Sequence, residues 1–326
     1  MTLKVVNLSV QDMAGAGYCL AHALNKQKGV KAVAIRAANN YINYPTIADV
    51  KFYTREICTQ MASNADVLVF HTAIAPYLSA YHLDAKMLKD KKKLLYFHGS
   101  DCRFYGKAII AQADEAFNGD YETLVSTPDL LDVMPTAKWM PVARSFHEIK
   151  RNYGLCGQDH AALKALGGEV PKVTLGHAPT NQERKGSALF FKVITEMVQK
   201  NPLVEYQVIQ NMTWDNCLRA MSTIDVYYDQ CVIGAYGMAA VEAAVFGAAV
   251  FCKLNTQVMD VIEAETGFKN PFIQWETEAE IRERSARLVA DKDLRLHFGK
   301  IAHDYCKAVH DEDVVAEKFL KIVEAM

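Results

Sequence analysis

Four loops in this 326-residue chain carry the residue types and spacings that could do chemistry. The richest runs from Asp229 to Ala244. Gly234 and Gly237 bracket a helix start there, so the backbone through Tyr236, Gly237 and Met238 is expected to offer N–H groups to phosphate oxygens. Glu242 is the one charge on the small, apolar helix that follows. A buried carboxylate needs hydrogen-bond donors, and these could be two vicinal ribose hydroxyls or a nearby lysine or backbone group. A second loop, His177 to Ser187, opens a helix with Arg184 and Lys185. Cations at a helix start oppose the helix dipole. A bound diphosphate would turn both cations and the helix N–H groups to the same purpose; otherwise they are a solvated pair. The glycine and lysine order of a phosphate loop is absent.

The third loop, His98-Gly99-Ser100-Asp101-Cys102-Arg103, follows an apolar strand directly. His98, Asp101 and Arg103 crowd a strand end where a hydroxyl or phosphate could bind, and His71, also just past a strand, could face the same space. Each histidine could equally be a satisfied structural residue. The fourth loop, Asp12 to Gly17, places Gly15 and Gly17 between a strand and a helix, for close ligand approach or simply for a tight turn. A dinucleotide site is its rival reading and fails twice. Leu20 stands where a third glycine would fall, and the second strand ends in Arg36 and not in an acid for the ribose.

The elements that must position these loops alternate along the chain. Val5 to Val10, Lys31 to Arg36, Asp66 to Phe70 and Lys93 to Phe97 read as buried strands, with helices over Ala16 to Lys26 and Asp49 to Ala62. Weaker strands are expected before Ser126 and over Ala137 to Pro141. Arg144 to Gly168 is polar and poorly periodic, which predicts a linker with some helix. A second series follows: strands Lys172–Gly176, Val204–Gln210, Ile224–Tyr228 and Ala248–Leu254, with helices Lys185–Lys200, Thr213–Met221 and Gly237–Phe246. Arg282 to Met326 reads as closing helices. Such alternation predicts an α/β protein with parallel sheets covered on both faces. Two series with a break predict two Rossmann-like lobes facing each other across a cleft, ligands lying beyond the carboxyl ends of the strands.

A formal net charge of -2 gives no global electrostatic case for nucleic acid. The basic run Lys89 to Lys93 reads as a solvated helix end or turn, with acidic lipid headgroups as the alternative partner. Eight cysteines without a Cys-x-x-Cys pair fit a reducing compartment. The first strand begins near the first residue, and no apolar run approaches the roughly 20 residues of a membrane span. A cytoplasmic location is therefore expected, with peripheral contact at the inner membrane face as an option. Asp291-Lys292-Asp293 and Asp311-Glu312-Asp313 each sit at a helix start, where capping explains them better than a metal.

Taken together, the four loops resemble the retaining GT-B glycosyltransferases of family GT4, over essentially the whole chain. The most specific part is Gly234 to Val250, which is similar to that family's Glu-x7-Glu region; Ser126 to Leu131 and the His177 to Ser187 stretch are less specific. The resemblance implies that Glu242 binds the donor ribose and Lys185 the donor diphosphate. It further implies that His98 lies near the transferred sugar and that Asn211 and Met212 meet the nucleobase. Two departures stand out: Gly234 replaces the first glutamate, and Thr180 and Gln182 stand where an arginine is usual, leaving Arg184 as a substitute. The implied catalytic set is His98, Lys185 and Glu242. The donor set adds Gly15, Gly17, Arg184, Asn211, Met212, Gly234, Tyr236, Gly237 and Met238, with His71, Asp101 and Arg103 on the acceptor or sugar side. The expected lobes are 1–145, with a C-terminal helix at about 306–326 packing back on it, for the acceptor, and 146–305 for the donor. The expected reaction moves a sugar from a UDP- or GDP-linked donor to a glycan or lipid-linked hydroxyl, with no metal or other cofactor. A sugar-nucleotide epimerase and a non-catalytic nucleotide-sugar-binding subunit are the alternatives.

Overall fold

The computed structural model describes residues 2–36, 42–44, 55–72, 83, 85–168 and 172–326. The chain divides into two compact units, Met1–Ser145 with His310–Met326, and Phe146–Val309. In the first unit six strands are β1 (Leu3–Ser9), β2 (Val30–Arg36), β3 (Val67–His71), β4 (Lys92–Phe97), β5 (Glu122–Val125) and β6 (Lys138–Trp139). They form one sheet in the order β2-β1-β3-β4-β5-β6, every pair parallel. Helices α1 (Ala16–Asn25), α2 (Arg55–Ser63) and α3 (Ser100–Phe117) connect them. The part of the expected second helix before Arg55 lies outside the described residues. All five residues of β3 are buried, as its β-branched and apolar sequence requires of a strand covered on both faces. The direction of winding reverses between β1 and β3, which makes their carboxyl ends the natural ligand position of this sheet. Register brings Ser9 beside His71 and His71 beside Tyr96 at that edge.

The second unit opens with α4 (Phe146–Leu166), where the sequence predicts a linker with some helix. Among its described side chains Phe146 and Ile149 are buried while Leu155 and Leu166 are exposed, so little helical periodicity is visible. Tyr153 attaches it to the next helices, its hydroxyl donating to Asp215 at 2.6 Å. Then follow β7 (Val173–His177), a single helical turn Gln182–Lys185, α5 (Ser187–Lys200), β8 (Val204–Val208), α6 (Trp214–Met221), β9 (Val226–Tyr228), α7 (Met238–Val245) and β10 (Ala249–Phe251). The four strands are parallel in the order β10-β9-β7-β8. The same winding reversal falls here between β7 and β9. Phe190, Tyr228, Phe251 and Trp275 lie at the centre of its core; burying each such ring contributes on the order of 2–3 kcal/mol. The expected helix Lys185–Lys200 is broken at Gly186, whose φ of 69° ends one turn and starts the next.

Helices α8 (Thr256–Thr266), α9 (Glu278–Ala290) and α10 (Lys292–His310) complete the second unit, and α11 (Glu312–Ala325) belongs to the first. Lys26 anchors α11 to α1 through Glu312 at 2.7 Å. Lys92 donates to the Val323 carbonyl at 2.6 Å. Asp291 accepts from the Leu294 N–H at 2.9 Å and Asp311 from the Asp313 N–H, so both aspartates cap the helices they precede. The basic run departs from the solvated reading at Lys93. Its ammonium is buried and donates to the Leu88 and Lys91 carbonyls and to Asp120. Among the described residues no helix is long and apolar enough to cross a membrane.

Candidate functional site

In the second unit the chemistry gathers where β7 and β9 end. Lys185 leaves the single turn after β7, and its Nζ lies 2.5 Å from Oδ1 of Asp229, the first residue after β9. Asp229 is fully buried and the Lys185 side chain is 13% exposed, so the lysine is the member of the pair that reaches the surface. The other carboxylate oxygen accepts the Gly237 N–H at 2.7 Å, immediately before α7. Gly237 also clears space for the lysine: a Cβ there would lie 2.9 Å from Nζ. The result is a cation seated over the first turn of a helix, an arrangement that suits an anion. Gly186 makes the approach possible, because a Cβ on it would meet Cys231 Sγ at 2.1 Å.

Beneath this, His177 is fully buried, its Nδ1 bonded to the Tyr228 carbonyl at 2.7 Å and its Nε2 to Ser187 Oγ at 2.7 Å. A carbonyl only accepts, so Nδ1 carries the proton and Ser187 donates to Nε2. Burial holds this imidazole down at about 4, partly opposed by the Tyr228 carbonyl. It is a brace between strand and helix. One turn into α7, Glu242 is 3% exposed and accepts from the Trp214 indole N–H at 2.8 Å. Ribose, lysine and backbone are the donors the sequence offers this carboxylate; in the structure an indole supplies one bond. Asn211 adopts φ 54° in the exposed turn after β8, with Met212 half-buried beside it and α6 following. Arg184 is exposed on the single turn, its N–H capped by Asn181 at 2.9 Å.

Three expectations for this loop need correction. Gly237 N–H is taken by Asp229, and the N–H groups of Val232 and Ile233 by Gln230 Oε1 at 2.9 and 2.8 Å, so those donors are not free for phosphate. Tyr236 is buried against Phe272 and Tyr305, its hydroxyl 3.1 Å from that of Tyr305, which leaves only its backbone for a ligand. Gly234, which replaces the expected carboxylate, has φ 80° and would set a Cβ 2.2 Å from Asn255 Nδ2. The loop geometry itself excludes a side chain there. Met238 is half-buried at the first position of α7.

In the first unit the glycine loop is closed from within. Asp12 caps α1 with both oxygens, accepting from the Gly17 N–H at 2.7 Å and the Tyr18 N–H at 2.9 Å. Gly15, at φ 63°, lies under Tyr44, whose ring would be 2.8 Å from a Cβ. Arg144, fully buried, donates to the Ala14 carbonyl at 2.7 Å. The loop's tight-turn role is thus met, and the Gly17 N–H is taken by Asp12 and not left for a phosphate.

His71 and His98 do come together. Asn7 Nδ2 donates to the Val33 carbonyl, which turns Asn7 Oδ1 to His71 Nε2 at 3.0 Å. His71 Nε2 therefore carries a proton, and His71 Nδ1 accepts from His98 Nε2 at 2.9 Å. His98 Nδ1 is left as a lone pair, buried and without a partner. Burial lowers both imidazoles, His98 to about 3 and His71 well below its ordinary value, so both are neutral. After the neighbouring strand, Thr127 Oγ1 and Asp129 Oδ1 are also buried without a hydrogen bond. Arg103 is engaged by Asp129 Oδ2, at 2.8 Å from Nε, and not held open for a ligand. Asp101 falls in the first turn of α3, and its side chain lies outside the described residues.

Asp12, Asn7, Trp214, Asp229 and Gln230 carry roles that the sequence did not show, through partners 2 to 64 positions away. The available signal was placement: Asp229 and Gln230 stand directly past a strand end. No protein-family model matches this chain, and no curated protein matches it by sequence. Solved structures do. Anabaena Alr3699/HepE, in complex with UDP-glucose, is similar with a TM-score of 0.64 at 12% identity, covering 99% of this chain and 100% of that one. Sucrose-phosphate synthase from Thermosynechococcus elongatus gives 0.59 at 11% identity, over 99% and 98%. A glycosyltransferase from Rickettsia africae gives 0.61 at 9% identity, over 99% and 98%. The α/β fold, with a parallel sheet in each unit, is therefore that of the GT-B glycosyltransferases.

Proposed function

We propose that the chain is a glycosyltransferase that moves a sugar from a UDP- or GDP-linked donor to a hydroxyl of a glycan or lipid-linked acceptor. The observation that carries this reading is the Lys185 ammonium seated over Gly237 at the start of α7, one turn before the buried Glu242. A cation with a helix start suits a diphosphate, and a carboxylate held by Trp214 suits ribose hydroxyls. The HepE complex with UDP-glucose, on the same fold, supports the choice of ligand class. Lys185 and Arg184 would stabilise charge on the departing diphosphate, the part a divalent ion plays in metal-assisted transfer. On the acceptor or sugar side, His98 Nδ1 would accept from a hydroxyl. Retention of configuration and membership of family GT4 rest on the resemblance in Gly234 to Val250.

The test is product analysis by mass spectrometry with UDP- and GDP-sugars, with and without a glycan or lipid-linked acceptor. Transfer predicts a product heavier by one sugar and release of the nucleoside diphosphate. An isomerised nucleotide sugar formed without acceptor would instead establish an epimerase. A non-catalytic binding subunit has one observation in its favour: the left-handed backbone at Gly234 and the Asn255 side chain beside it disfavour the carboxylate expected there. Binding without any product would establish that reading.

A further inference from the structure

We infer that Asp229 is a positioning residue for anion binding, acting through Lys185 and Gly237; this rests on the donor-site reading above. Asp229 is fully buried and cannot itself touch a ligand. Both its oxygens are committed, Oδ1 to Lys185 Nζ at 2.5 Å and Oδ2 to the Gly237 N–H at 2.7 Å, with Cys252 Sγ 3.7 Å away. Its own N–H is fixed to the Phe251 carbonyl at 2.8 Å, so the carboxylate is held by the sheet. An ammonium has three N–H donors; Asp229 takes one and leaves two for an anion arriving from outside. A lysine side chain free in water samples many rotamers, and fixing it in advance removes that entropy loss from binding. The same carboxylate sets the height of the Gly237 turn, on which the lysine's clearance depends. A buried anion this close to a phosphate site would repel the ligand if unpaired, so the pair works only as a unit.

A residue that acts this way affects the diphosphate end of a nucleotide and not its nucleoside. Titration calorimetry of the full chain with UDP and GDP, and with uridine and guanosine, reads that difference. Asp229→Asn is expected to weaken the nucleoside diphosphate at least tenfold while leaving the nucleoside within about twofold. In a Lys185→Met background the further change Asp229→Asn is expected to cause no further loss of diphosphate binding, since the cation it positions is already gone. That double variant removes both charges together and leaves no buried ion unpaired, so it serves where the single variants fail to fold: its loss then matches the nucleoside-independent loss expected of the pair. Equal affinity of wild type and Asp229→Asn for the diphosphate overturns the inference alone, as do losses that fall equally on nucleoside and diphosphate. Wild-type chain that binds neither UDP nor GDP overturns the donor-site reading and the inference with it.

Discussion

Glu242 and Trp214 form the most exacting contact at the residue scale. A carboxylate 3% exposed keeps its orientation through an indole N–H at 2.8 Å. Trp214→Phe keeps the ring and removes that donor, which costs about 1–3 kcal/mol at a buried acceptor. Thermal unfolding should show that loss, and titration should show weaker UDP or GDP binding. At Lys185 the expected outcome is double. Lys185→Ala removes the cation and leaves Asp229 buried and unpaired, a change worth about 3–5 kcal/mol. A variant that binds nucleotide less well but keeps wild-type stability would contradict the ion pair. Glu242 and Lys185 were legible as chemistry because each breaks the pattern of its segment: one charge on an apolar helix, and one of two adjacent cations where the dipole disfavours them. Asp229 was not legible, since nothing in its neighbours announces that Lys185, 44 positions earlier, will reach it.

Elements explain why the glycines stand where they do. Gly237 has ordinary extended backbone, and the atom a Cβ there would crowd is the ammonium above it. Gly237→Ala should therefore leave stability nearly unchanged, because a flexible lysine end can move, while nucleoside diphosphate binding weakens. Gly234 is the opposite case. Its left-handed φ of 80° alone costs a side chain about 1–2 kcal/mol, and Asn255 occupies the Cβ position. Gly234→Glu is expected to lower the melting temperature and gain no activity; a stable, more active variant would refute this account of the loop. The alternating strands were readable from apolar runs bounded by polar loops, since parallel strands buried on both faces leave that trace. Helix α4 was hidden because, among its described side chains, the buried apolar ones, Phe146 and Ile149, fall in its first turns, while Leu155 and Leu166 are exposed.

At the scale of the molecule, buried histidines tie stability to pH. His71, His177 and His310 are at most 2% exposed. Burial holds His177 and His310 at about 4 against an ordinary value of 6.5, and His71 well below it. The unfolded chain thus binds more protons than the folded one once pH falls below about 6.5, and stability declines from there to about 4. Each histidine adds about 1.4 kcal/mol of loss per pH unit in that window. Melting temperature should be flat in this respect above pH 7 and fall steadily below 6.5. Replacing His310, remote from the proposed site residues in sequence, with Gln should shallow that slope.

The proposed nucleoside diphosphate site is built by Lys185, the start of α7 and Glu242. Calorimetric titration of the wild-type chain and of Glu242→Ala with UDP and GDP tests it most directly. Saturable one-to-one binding of one of them to wild type is expected, weakened at least tenfold by Glu242→Ala. No binding of either nucleotide to wild type, or equal affinity in the variant, would contradict it.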